Sequence, residues 1–168
     1  MNGGTIMYAS LILRTFFLAV FLSNSVVLAT AVVTHTADLP CPKCSELLES
    51  TAPILAEWFI KEQNNDPTLH IMQSYRGEKE QNRYLKSGAS GAGWGKSAHN
   101  YLPSLAIDCF FLIDGKSKQI PAKYKKMTLR LPPTIENGSI FVRLVDWCHF
   151  QVKNWQNLAK NYPYGNEA

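Results

Sequence analysis

The sequence predicts an α+β fold: one domain in which a small antiparallel sheet is flanked by helices. Three observations carry that prediction. Apolar residues recur at helical spacing between Ser45 and Gln63. Short apolar runs at Leu69–Ser74, Leu105–Ile113 and Ser139–Val145 have the length and composition of strands. The turn dipeptides Asp114-Gly115 and Asn137-Gly138 border those runs. A chain of 168 residues is long enough for one domain with a sizeable core. Hydrophobic residues make up 46% and charged residues 18%, which excludes an intrinsically disordered chain.

The first segment is set apart from the fold. Residues 15–33 read TFFLAVFLSNSVVLATAVV, without a charge; Arg14 precedes them and Ala29-Thr30-Ala31 is an A-x-A pattern. Residues 1–31 are therefore expected to be an export signal cut after Ala31, or a weak membrane anchor, with the folded domain at 32–168. A membrane span needs roughly 20 apolar residues, so membrane association through residues 15–33 is the alternative to cleavage; Ser23-Asn24-Ser25 weakens it.

Folding is expected to begin near Cys41. Leu47, Leu48, Thr51, Ile54, Leu55, Trp58 and Phe59 form the helical stripe, and Pro53 after Ser50-Thr51 marks where its main helix starts. Asn64-Asn65-Asp66-Pro67 stops it. Leu69–Ser74 is a short strand, and His70 on it is read as an ordinary strand histidine. Glu78–Lys86 is polar and helix-prone. Ser87–Lys96 is a glycine-rich loop, read as a lid or substrate-facing loop. It lacks the glycine order of a phosphate-binding loop, because Ser90 stands where the first glycine is required. Lys116–Arg130 is structurally ambiguous and ends before Pro132-Pro133. Phe150–Val152 continues a strand from His149, and the tail from Asn154 is expected to pack loosely.

The formal charge is +4, and Lys116, Lys118, Lys123, Lys125, Lys126 and Arg130 are accompanied in their stretch only by Asp114. Such a patch suits a solvated basic face or an anionic envelope polymer. No aromatic residues interleave it in the manner of an RNA-binding surface, so nucleic acid is not an expected partner. Cys41-Pro42-Lys43-Cys44 is a C-x-x-C that fits a disulfide, a redox pair or half of a zinc knuckle. No strand-like segment precedes it and no second C-x-x-C follows, so a structural role is favoured over thiol oxidoreductase activity.

Two distant stretches carry the chemistry: Ser97–Asp108 and Asp146–His149. Asp108 interrupts an otherwise apolar strand, and a carboxylate there is costly unless it is paired or bound to a metal. With His99 and His149 it supplies two imidazoles and a carboxylate as ligands, and Asp146 supplies a further carboxylate. That is the donor set of a catalytic zinc site with an open position for water and a base beside it.

The residues Ser97-x-His99 and Ala106-x-Asp108, followed by Asp146-x-x-His149, resemble the zinc D,D-peptidase and L-alanyl-D-glutamate endopeptidase family. That group includes D-alanyl-D-alanine carboxypeptidases and many phage endolysins. Tyr75-Arg76 with Gln81 is similar to the family's upstream Y-R…Q segment, so the resemblance covers about Leu69 to Val152. It implies a Hedgehog/D,D-peptidase-like fold and a Zn2+ ion held by His99, Asp108 and His149. It further implies Asp146 as general base, Arg76 as oxyanion support, and Ser97 and Gln81 as substrate-holding residues. The implied substrate is a peptidoglycan stem peptide. The L-alanyl-D-glutamate bond, cut in an endolysin-like role, is preferred. A D-alanyl-D-alanine carboxypeptidase and a non-catalytic, zinc-stabilised wall-binding domain are the alternatives. The expected state is a monomer, exported to the envelope or membrane-anchored, or held in the host cytoplasm until lysis if the source is a phage. Two departures from the family pattern stand out: Leu102-Pro103-Ser104 lengthens the gap between His99 and Asp108, and Cys148 occupies a place where proline is common.

Overall fold

The computed structural model describes residues 41–138 and 146–164. The expected export signal or anchor at 1–31 and the expected strand at Ser139–Val145 lie outside the described residues. Among the described residues, no helix is long and apolar enough to cross a membrane.

The architecture is α+β. Helices α1 (Pro42–Glu49) and α2 (Pro53–Asn65) lead into strand β1 (Leu69–Gln73), and α3 (Glu78–Ser87) follows. A 3-10 turn at Ala98–Asn100 precedes β2 (Ala106–Ile113), which pairs with β3 (Lys116–Lys118). Helix α4 (Pro121–Thr128), β4 (Ile135–Asn137), β5 (His149–Val152) and α5 (Trp155–Ala159) complete the order. Among the described residues, every pairing between strands is antiparallel, the sheet runs β1-β2-β5-β4, and β3 pairs with β2.

The helical stripe at Ser45–Gln63 is two helices, because Pro53 opens α2 and its predecessors cannot stay helical. Proline also begins α1 and α4, where its missing N–H costs nothing. Cys41 and Cys44 form a disulfide across the N-terminus of α1, and both are buried. This decides the C-x-x-C in favour of the disulfide. The ambiguous basic stretch resolves into β3 and α4. Its Lys123 pairs with Asp66 at 2.7 Å, and its Arg130 pairs with the buried Glu62. The tail is more ordered than expected: α5 brings Trp155 against Tyr101, and Tyr164 stacks on Tyr101 and Trp94.

Strand alternation gives the sheet two unlike faces. Ile107, Cys109 and Phe111 on β2, with Phe150 and Val152 on β5, are buried in the apolar core. Phe150 packs between Trp58, at 4.5 Å, and Tyr124, at 6.3 Å, between ring centroids. Tyr124 also touches Phe111 and donates its hydroxyl to the Cys109 carbonyl at 2.8 Å. Helices α2 and α4 thus cover the same apolar face of the sheet, and Asp108, His149 and Gln151 lie on the opposite face.

Phe150 is completely buried, so Phe150→Ala is expected to cost about 3–5 kcal/mol, read from urea unfolding. A loss under about 1 kcal/mol would mean that this aromatic stack is not the centre of the core.

Candidate metal centre

The polar face is assembled by strand register. Asp108 on β2 is the cross-strand partner of His149 on β5, which places two residues 41 positions apart side by side. On the other side of β2, Ile71 pairs with Cys109 and Gln73 with Asp108, so β1 carries one extra residue there. This bulge turns Met72 to solvent and puts Gln73 opposite Asp108. His99 arrives from the 3-10 turn, where the Ser97 hydroxyl caps the His99 N–H at 3.4 Å.

His99, Asp108 and His149 are all buried, and one potential ligand atom from each lies within 4.8 Å of the others. His99 Nε2 is 3.3 Å from Asp108 Oδ1 and 3.3 Å from His149 Nδ1; His149 Nδ1 is 2.9 Å from the same carboxylate oxygen. The outward nitrogens are tied away from this point. His99 Nδ1 lies 2.6 Å from the Ser74 carbonyl, an acceptor only, so it must carry the proton. His149 Nε2 lies 3.0 Å from Gln151 Oε1. Two imidazole nitrogens and a carboxylate oxygen therefore converge with their outer hydrogen bonds already made, an arrangement that suits a divalent cation such as Zn2+. A second cluster of ligand-type side chains, Cys41, Cys44 and His70, is also present, but its two sulfurs are bonded to each other. His70 rests against the Phe110 ring.

The electrostatics follow from burial opposed by partners. Burial lowers the pKa of His99, and the charge of Asp108 does not fully offset it. Burial also acts to lower His149, but its hydrogen bond to Asp108 and that carboxylate's charge outweigh the effect, so its pKa is raised. Burial would raise Asp108, yet the neighbouring imidazoles hold it well below the usual carboxylate range. Arg76 reaches the second carboxylate oxygen, Nη2 to Oδ2, at 3.4 Å. Its guanidinium is anchored to Gln73 through Nε and Nη2 and to Gln81 through Nη1, and it stacks 4.5 Å from the Tyr84 ring centre. Such a fixed cation neutralises a buried carboxylate without needing freedom to move.

The remaining sequence candidates occupy distinct places. Gln81 is fully buried: Oε1 accepts from Arg76 and Asn100, and Nε2 donates to Ser90 Oγ and the Ala92 carbonyl. It thereby ties Arg76 to the glycine-rich loop. Ser97 is half-buried at the entry to the 3-10 turn. Asp146 is exposed and is not among the three converging side chains; the Cys148 thiol donates to its Oδ1 at 3.0 Å, and its charge acts on His149.

Asn100 was not singled out by its sequence. Its Nδ2 donates to the Arg76 carbonyl and to Gln81 Oε1, and its Oδ1 accepts from the N–H groups of Gly95 and Ser97. It joins the arginine segment, the loop and the His99 turn. The only sequence signal for it was adjacency to His99. The loop is further held by the Tyr101 hydroxyl on the Gly95 carbonyl. Gly95 has φ of +74°, and a Cβ there would lie 2.8 Å from the Tyr164 ring, so both backbone and space demand glycine.

No family model matches the chain, and no curated protein matches it. Among solved structures, the chain is similar to the crystal structure of the Serratia marcescens L-Ala D-Glu endopeptidase ChiX. The TM-score is 0.55 with 18% sequence identity, over 69% of this chain and 90% of that one. At that identity the likeness is one of fold.

Asn100→Ala would strand two backbone N–H groups and the Arg76 carbonyl, and leave Gln81 Oε1 with Arg76 alone as donor. The expected cost is about 2–4 kcal/mol in denaturant unfolding. Unchanged stability would show that water or a neighbour replaces all four bonds.

Proposed function

We propose that the protein is a zinc-dependent peptidase acting on peptidoglycan stem peptides, with the L-alanyl-D-glutamate bond as its substrate. The observation that carries this reading is the convergence of His99 Nε2, His149 Nδ1 and Asp108 Oδ1, each with its outer contacts satisfied, beside a buried and anchored Arg76. The fold shared with an L-Ala D-Glu endopeptidase supports the substrate class.

His99, Asp108 and His149 would hold the ion. When bound, Zn2+ supplies Lewis acidity and a water able to lose its proton near pH ~7. Asp146 would serve as the general base, its carboxylate accepting a proton from the attacking water and passing it to the amine that leaves when the peptide C–N bond breaks. Arg76 supplies positive charge toward the oxyanion that develops on the former carbonyl oxygen. Gln81 and Asn100 keep the guanidinium and the His99 turn in register, and Ser97, at the entry to that turn, would contact the substrate. The L-alanyl-D-glutamate bond joins two amino acids of opposite handedness. Its cleavage exposes a new D-glutamyl amino group.

Purified sacculi incubated with the protein and Zn2+ are expected to release new amino termini, placed by mass spectrometry after L-alanine. Asp146→Asn should lower the rate by about 10²–10⁴-fold while Zn2+ binding persists. Absence of cleavage with Zn2+ bound would leave a structural metal domain. Products ending at D-alanine would move the assignment to carboxypeptidase.

Binding of the ion must displace the proton that Asp108 retains on His149. The folded pKa of His149 is raised above the ordinary ~6.5. Zn2+ affinity should therefore keep rising above pH ~6.5, until that proton is lost, and fall on acidification by about tenfold per pH unit for each proton displaced. Affinity independent of pH across the neutral range would argue against these ligands.

A further inference from the structure

The mechanism leaves two polar residues on the same sheet face unused, and they extend the site beyond its ligands. Gln151 lies two positions after His149 on β5, so the two side chains share a face. Across the neighbouring pair, Glu136 on β4 is the cross-strand partner of Gln151. His149 Nε2 is 3.0 Å from Gln151 Oε1, and Gln151 Nε2 donates to Glu136 Oε1 at 2.5 Å.

The chemistry of this row is directional. A carboxylate can only accept, so Glu136 fixes which end of the Gln151 amide faces it: the NH2 group must point to β4. The amide oxygen is then turned to His149 and can only accept. That demands a proton on Nε2. Flipping the amide would set its oxygen against the Glu136 carboxylate, a repulsive contact between two acceptors. The nitrogen left facing Asp108 is Nδ1.

We propose that Gln151, oriented by Glu136, is a positioning residue that keeps a proton on His149 Nε2 and holds the ring so that Nδ1 is the nitrogen offered to the metal. The proposal rests on the metal-centre reading for its purpose, while the hydrogen-bond row rests on the geometry of β4 and β5. It assigns to β4 a part in the site: the strand carries the acceptor that sets the orientation of the whole row. His99 needs no such device, because a backbone carbonyl already fixes its ring.

The test uses the full-length chain labelled with 15N-histidine. In the metal-free protein, the His149 Nε2–H should be hydrogen-bonded and slow to exchange with water. Gln151→Ala should speed that exchange at least about tenfold and weaken Zn2+ binding, read by competition with a chromophoric chelator, by about 10–100-fold. The exchange variant E136Q/Q151E reverses donor and acceptor between the two strands while still presenting an acceptor to His149. It should restore both readings, which a merely structural defect in β5 would not allow. A fast-exchanging Nε2–H in the unmodified protein, or wild-type behaviour in Gln151→Ala, overturns the proposal. If Zn2+ fails to bind at all while the N–H follows the variants as stated, the row stands and the metal reading falls.

Discussion

The structure turns on one buried carboxylate. Asp108 sits in the middle strand of the sheet at 7% exposure, where an unpaired charge would cost several kcal/mol. Everything that surrounds it reduces that cost. His99 and His149 meet one oxygen and Arg76 meets the other. Arg76 is in turn held by Gln73 and Gln81, and His149 by Gln151. A polar row thus crosses the sheet from the arginine segment to β4, each member fixing the next. Networks of this kind are stable only when every member is satisfied, which explains how Gln81 and Asn100 can be fully buried here, with Gln73 and Gln151 half-buried beside them.

The two faces of the sheet divide the labour. One face buries Phe111 and Phe150 against Trp58 and Tyr124 and supplies the cohesion. The other gathers the charged and hydrogen-bonding side chains. Alternation along β2 makes this division possible in eight residues: Ile107, Cys109 and Phe111 point one way and Asp108 the other. A rigid apolar face is what allows the polar face to hold three potential ligands so close together.

The likeness to a solved peptidase structure at 18% identity speaks to the fold, while the proposed chemistry draws on the side chains themselves. Asp146 illustrates the distinction. It stands exposed, outside the group of three converging ligands, with the Cys148 thiol on its carboxylate. The thiol in that place keeps a donor on the carboxylate that a proline could not supply. The disulfide at the start of α1 fastens the first helix, and His70 beside it packs on a phenylalanine.

Much of this was legible in the chain. The donor types at His99, Asp108 and His149, the apolar strand around Asp108 and the proline and glycine punctuation are local properties, set by covalent chemistry and side-chain preference. They were enough for the α+β class and for the candidate ligands. The bulge in β1, the short strand β4, helix α5 and the bridging role of Asn100 were not legible. Three-residue strands and a five-residue helix have too few positions to show a period, and a bulge is visible only once a partner strand exists. Which nitrogen of each imidazole faces the centre was likewise decided by tertiary structure, because it depends on a carbonyl at Ser74 and an amide at Gln151. The sequence determined which groups were available; only the folded sheet, through register and burial, decided which of them meet and which way each one points.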